Sequence, residues 1–337
     1  MLGCLRFRAD LSKKHSSLFY DAKAVELVDK IDYDSLTIDM PFPNSLFSFF
    51  IKRDILPGIE LFTLIAKQFD QKVKTYIKGH PRASIVNIGA GLDTTFYRID
   101  NGMIHWYDLD FPAVIDLRRQ LFPESDRITY IPKSLLDPSW CKDIENTKNG
   151  IFIMASGVFQ FFETTQLRQF FSMLADNFPG GEIVFNAFSR PENDAFLWTD
   201  MVPPEQRDML GAAFEEALDD WWEMAPQDQK DELNDMIATL KLPTKPKGTE
   251  WGDIKTWWIR LSNKEQEEAL TTFLRMGHGF WAPKDANEIT KFDSRITLID
   301  QFPTYKDIPR DSLSEDLRRL MDYSDEQGRF CIFHLRV

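Results

Sequence analysis

The chain has 337 residues, enough for one α/β domain carrying a large insertion and burying a substantial core. A formal charge of -13 excludes a nucleic-acid duplex or an anionic membrane as the main partner, because phosphate contacts need clustered Lys and Arg. The three cysteines, Cys4, Cys141 and Cys331, are far apart and lack CxxC or Cys/His spacing, so no metal site is expected.

The first residues hold no apolar run of seven or more, so a secretory signal is not expected. No run elsewhere approaches the ~20 apolar residues of a membrane span. With unpaired thiols, this points to a reducing cytoplasm. Residues 1–78 have a mostly helical pattern, clearest over 22–31 and 58–77.

From residue 84 to 189, short apolar runs alternate with amphipathic segments, the signature of successive βα units. Strands are predicted over 84–88, 104–109, 128–131, 151–155 and 182–188, each apolar enough to be buried on both faces. Helices are predicted over 112–121 and 164–178, the second with Leu167, Phe170, Phe171 and Leu174 on one stripe. Pro179-Gly180-Gly181 stops it.

Residues 198–281 differ in character. They hold seven of the nine tryptophans and 17 acidic against 9 basic residues, a net charge of -8. Their periodicity is helical, through Leu210, Phe214, Leu218 and Trp221, then Leu233, Met236, Ile237 and Leu240, then Ile254, Trp257, Trp258 and Leu261. Ser262 and Glu265 form a capping box, and residues 243–248 read as a linker. The expectation is a helical insertion with its own aromatic core, serving as a lid over the strand ends. Asp219 and Asp220 read as a solvated helix face. Two late strands, 294–302 and 329–337, flank a helix at 312–321. The domain reading is therefore an N-terminal helical segment (1–78), a core (79–197 and 282–337) and the insertion (198–281).

The most informative segment is Asn87-Ile88-Gly89-Ala90-Gly91-Leu92-Asp93. A buried strand runs into two glycines, and Asp93-Thr94-Thr95 then offers a helix N-cap. Glycine there lets a ligand lie against the backbone at the strand end and permits positive φ. About twenty residues later a second strand ends in Asp108-Leu109-Asp110, an acid placed to accept hydrogen bonds from a ribose diol. A pyrophosphate cradle would want a third glycine and a helix N-terminus free of negative charge. Asp93 stands there instead, which favours a sulfonium cofactor, S-adenosylmethionine, over a dinucleotide.

Residues 86–98 followed by Tyr107-Asp108-Leu109-Asp110-Phe111-Pro112 resemble the leucine carboxyl methyltransferase family, which includes the tetracenomycin-type polyketide O-methyltransferases. The resemblance covers roughly 67–189 and returns over 282–337. It implies an α/β, class I methyltransferase (Rossmann-like) fold: a seven-stranded sheet whose last strand is antiparallel, here with N-terminal helices and a helical lid insertion. It also implies O-methyl transfer from S-adenosylmethionine. Carried over by position, Gly89, Ala90 and Gly91 approach the methionine part, Asp110 holds the ribose, and Ser134 and Leu135 flank the adenine. Ser156 stands where a glutamate is usual, and Ile65 where an arginine usually grips the cofactor carboxylate. Lys67, or Lys23 in the N-terminal arm, is the substitute.

Methyl transfer from a sulfonium is an in-line displacement that needs alignment and exclusion of water, not a metal or a covalent nucleophile. Of the five histidines, His80, His105 and His334 read as structural, while His278, between Gly277 and Gly279, is the one placed to meet a substrate. The expected partner is a small-molecule acceptor. Two other readings stand beside it: carboxyl methylation of a protein C-terminus, and a homologue that binds the cofactor without transferring methyl.

Overall fold

The computed structural model describes residues 2–31, 59–188, 203, 216, 218–262, 265, 281, 283, 285–328 and 330–337. These form two compact units, one containing the sheet and residues 2–31, the other lying within 203–265.

In the first unit, helices α1 (Leu2–Lys14) and α2 (Ala22–Val28) open the chain, and Asp21 caps α2 by accepting from Ala24 N. A short 3-10 turn, Ile59–Leu64, runs into α3 (Ile65–Gly79), so the segment expected as one helix changes pitch at residue 65. Leu11, Leu18 and Phe19 pack with Leu61, Leu64 and Ala66 and with Tyr305, Ile308, Leu313 and Met321. The N-terminal helices thus share an apolar cluster with the C-terminal part of the same unit.

Strands β1 (Ser84–Ile88), β2 (His105–Asp110), β3 (Ile128–Pro132), β4 (Ile151–Ala155) and β5 (Glu182–Phe188) are mutually parallel. Helices α4 (Thr95–Ile99), α5 (Pro112–Leu121) and α6 (Thr164–Asn177) connect them. Proline at the first turn of α5 supplies a preset φ where no donor is needed, and Gly180 at φ 81° follows the end of α6.

The second unit has α7 (Gln227–Thr239) and α8 (Trp251–Arg260) around Trp221, Trp222, Leu233, Ile237, Ile254 and Trp257, a core of its own. The capping box at Ser262 and Glu265 is formed: Ser262 N donates to Glu265 Oε2 at 2.8 Å. Asp219 keeps a solvated side chain, as expected, while accepting from the Trp251 indole and pairing with Lys255 at 2.6 Å.

The chain then completes the sheet with α9 (Ala286–Thr290), β6 (Thr297–Pro303), α10 (Glu315–Gln327) and β7 (Phe330–Arg336). The order is β3-β2-β1-β4-β5-β7-β6, with β7 antiparallel to both neighbours. The helix predicted over 312–321 begins later and runs longer. Ser314 caps it by accepting from Leu317 N, and Gly328 in the left-handed region ends it.

One sheet face carries Ile151, Ile153, Ala155, Ile183, Phe185, Phe333 and Leu335 against Leu167, Phe170, Phe171 and Leu174 of α6. Trp281 belongs to this core, not to the aromatic cluster of the second unit: it packs against Phe159, Phe185 and Phe292. Among the described residues no helix is long and apolar enough to cross a membrane.

Candidate cofactor site

Register brings the predicted residues to one sheet edge. Ile88 stands beside Leu109 on one side and Ala155 on the other, and Asp110 stands beside Pro132. The residues after β1, β2, β3 and β4 therefore emerge together at the carboxyl ends of the strands, where open α/β sheets bind ligands.

The loop after β1 turns sharply. Gly89 and Gly91 have φ of 62° and 47°, values a side chain resists, and Gly89 is exposed. Gly89 N donates to Leu109 O at 2.8 Å, and Gly91 N donates to Asp110 Oδ2 at 2.8 Å. Asp110 Oδ1 accepts from Phe111 N at 2.7 Å. Each oxygen of this half-buried carboxylate is thus oriented by one backbone donor, with lone pairs left for further donors. The structure therefore brings Gly89, Ala90, Gly91 and Asp110 together, Gly91 by a direct bond to Asp110 and the other two through Leu109 O beside it. Phe111, which follows, is 56% exposed.

A second layer, invisible in the sequence, holds the loop from behind. Arg118 of α5 is 2% exposed and donates through Nη1 to Gly91 O (2.9 Å) and Asp93 O (3.0 Å), and through Nη2 to Asp108 Oδ2 (2.6 Å). Asp108 also accepts from Asn87 Nδ2 and Trp106 Nε1. Burial pushes its carboxyl above the usual range, opposed by Arg118 and those two donors.

Asp93 changes meaning in the fold. Its Oδ2 accepts from Thr95 N, the first residue of α4, at 2.9 Å, and its Oδ1 pairs with Arg8 Nη1 at 2.7 Å. Burial would raise its pKa, but Arg8, then Arg98, then the Thr95 donor outweigh burial and hold the carboxyl below its ordinary value. It is a paired structural charge, not the bare one inferred from its position. Arg98 meanwhile forks onto Asp70 (2.7 and 2.9 Å) and reaches Asp21, which also accepts from Thr94 Oγ1.

The other predicted residues are spread more widely. Ser134 accepts from Leu136 N at 3.2 Å, and Leu135 is buried in the main core. Ser156 is exposed just beyond β4, and two residues later Val158 lies over Gly89. Lys67 does not bond to the loop; its ammonium donates to Leu18 O at 2.6 Å, and burial lowers its pKa. With Lys23 it lines a cleft of about 580 Å³ that also includes Tyr97 and Arg98. Ile65, where the resemblance expects an arginine, is buried. His278 lies outside the described residues. His80 stacks on Tyr76, His105 on Tyr107, and His334 bonds to Glu182 at 2.9 Å, as structural histidines do. Among the described residues no group of His, Cys, Asp and Glu could hold a metal.

Sheet order and strand-end glycine loop together define a class I methyltransferase fold. The resemblance to the leucine carboxyl methyltransferase family is borne out: that family's model matches residues 2–142. The chain is also 25% identical over 188 residues to the tetracenomycin polyketide synthesis O-methyltransferase TcmP of Streptomyces glaucescens. That match covers 56% of this chain and spans 64% of the relative's length. Solved structures that align with the chain include a candidate methyltransferase from Thermobifida fusca, at 12% identity, 87% and 86% coverage and a TM-score of 0.47. A SAM-dependent methyltransferase from Anabaena variabilis aligns at 10% identity, 89% and 98% coverage and a TM-score of 0.40.

Proposed function

We propose that the chain is an S-adenosylmethionine-dependent O-methyltransferase acting on a carboxyl or hydroxyl group of a small molecule in the cytoplasm. The observation that carries this reading is the Gly89–Gly91 loop bonded to Asp110 at the carboxyl edge of the sheet. The match to TcmP, named for O-methylation in polyketide synthesis, supports the acceptor class.

The residues present fit the cofactor. Gly89 leaves the strand end open, and Asp110 keeps lone pairs for a ribose diol. In this reading Gly89, Ala90 and Gly91 accommodate the methionine part and Asp110 accepts from the ribose. Ser134 and Leu135 flank the adenine, Ser156 borders the site, and Lys67 or Lys23 holds the carboxylate. When bound, the cofactor supplies a methyl group already activated on sulfur. A carboxylate acceptor is anionic at neutral pH and needs no base, whereas an alcohol or phenol needs one. His278 is assigned to the acceptor side, and residues 198–281 to acceptor specificity.

Calorimetric titration with S-adenosylmethionine tests the proposal. Saturable binding to the wild type that is lost in Asp110→Ala is expected; no binding to the wild type would sink it. A second reading, cofactor binding without transfer, is favoured by buried Ile65 and exposed Ser156 at positions where the family resemblance expects charged groups. Saturable binding without turnover on any small carboxylic acid, phenol or alcohol would decide for it.

A further inference from the structure

We infer that Arg8, on the N-terminal helix, is a positioning residue of the cofactor site: it and Arg118 form a two-sided guanidinium clamp that sets the backbone of the glycine loop. The inference rests on the proposed cofactor reading for its consequence, but the clamp itself is a property of the ligand-free chain.

The two arginines divide the loop's carbonyls between them. Arg118 Nη1 reaches Ala90 O, Gly91 O and Asp93 O, at 3.4, 2.9 and 3.0 Å. Arg8 Nη2 takes the remaining one, Leu92 O, at 2.8 Å, while its Nη1 pairs with Asp93 Oδ1 at 2.7 Å. Every carbonyl from 90 to 93 is therefore drawn to a guanidinium that is itself buried, 8% and 2% exposed respectively. With its carbonyls held on that side, the loop presents Gly89 to solvent and aims Gly91 N at Asp110. Planar guanidinium suits this task, because one rigid fork can bond a carbonyl and a carboxylate together, which an ammonium cannot do with the same geometry.

Arg8 is also the one of the pair that ties the loop to a distant stretch of chain. Its Nε lies 3.8 Å from Asp21 Oδ2, the carboxylate that caps α2 and receives Arg98. Ordering of residues 2–28 is thereby linked to the shape of the loop through Arg8, Asp21, Thr94 and Arg98. A loop misplaced by an ångström would misplace the cofactor by as much, and errors of that size reduce rates by roughly 100-fold.

The experiment compares wild type, Arg8→Ala, Arg8→Lys and the control Lys13→Ala, a change on the same helix as Arg8 that removes an exposed ion pair to Asp29 at the end of α2. Hydrogen–deuterium exchange of the ligand-free proteins is read over peptides spanning 86–99, and calorimetry then measures S-adenosylhomocysteine affinity. Arg8→Ala and Arg8→Lys should both speed exchange at 89–95 with the strands unchanged and weaken binding roughly 2- to 30-fold, while Lys13→Ala stays at wild-type values. Millimolar ethylguanidinium should restore slow exchange and affinity to Arg8→Ala, a rescue that a general loss of helix packing would not show. Unchanged loop exchange in Arg8→Ala, or full function in Arg8→Lys, would overturn the clamp. If the wild type binds no cofactor, the proposed function fails while the exchange result still decides the clamp.

Discussion

Gly89 makes the sharpest test of how the strand end is built. It sits at φ 62°, and a Cβ placed on it would stand 2.5 Å from Val158 Cγ2 and 3.4 Å from Cγ1. Gly89→Ala therefore meets two separate obstacles. Holding an L-residue in the left-handed region costs about 1–2 kcal/mol, and forcing a methyl against a buried valine costs about 1–3 kcal/mol more. The sum, about 2–5 kcal/mol, is large beside the marginal stability of any domain. Urea unfolding followed by far-ultraviolet circular dichroism reads it as a lowered midpoint. Val158→Ala removes the atoms that clash but not the backbone strain, so the Gly89→Ala/Val158→Ala pair should lose about 1–3 kcal/mol less than the two single changes added together. Singles that add within about 0.5 kcal/mol would refute the overlap, and a wild-type midpoint for Gly89→Ala would refute both parts of the argument.

Three further outcomes follow from the same structure. Asp108→Ala strands the buried Arg118 guanidinium without its carboxylate and should cost about 3–5 kcal/mol in urea unfolding, whereas the exposed Arg119–Asp116 pair should be removable at under about 1 kcal/mol. Because Arg8 and Arg98 hold the Asp93 carboxyl below its ordinary range, its contribution is complete above the unfolded value near 3.9. It is lost as pH falls through the folded value. The stability gap between wild type and Asp93→Asn should accordingly be constant at neutral pH and narrow below about pH 4; a gap that widened there would contradict the pairing. Trp221→Ala, in the core of the second unit, should cost that unit about 3–5 kcal/mol and increase proteolytic cutting within 216–262; cleavage that appeared first within β1–β5 would place the damage elsewhere.

The residues of the loop were legible in the sequence because local chemistry dictates them. A strand buried on both faces is mainly apolar, a turn with positive φ favours glycine, and an acid ending the next strand lies one neighbour away in a parallel sheet. All five parallel strands announce themselves this way, as does β7; β6, at the end of the strand order, is mostly exposed and shows only as a β-like run. The departures at Ile65 and Ser156 were equally visible.

What the sequence could not disclose was anything depending on which distant groups meet. Asp93 read as an open negative charge, because the residue that balances it lies 85 positions away on α1. Nothing in the sequence sets Arg118 apart, since periodicity records which face a residue occupies and not whether a carboxylate and three carbonyls are waiting there. Trp281 sat in a tryptophan-rich stretch and yet packs in the sheet core. Strand identity and the glycine turn are set by short-range sterics and burial, which sequence carries directly. The electrostatic surroundings of the loop are set by ion pairs between elements far apart in the chain, and only the folded chain brings those partners within bonding distance.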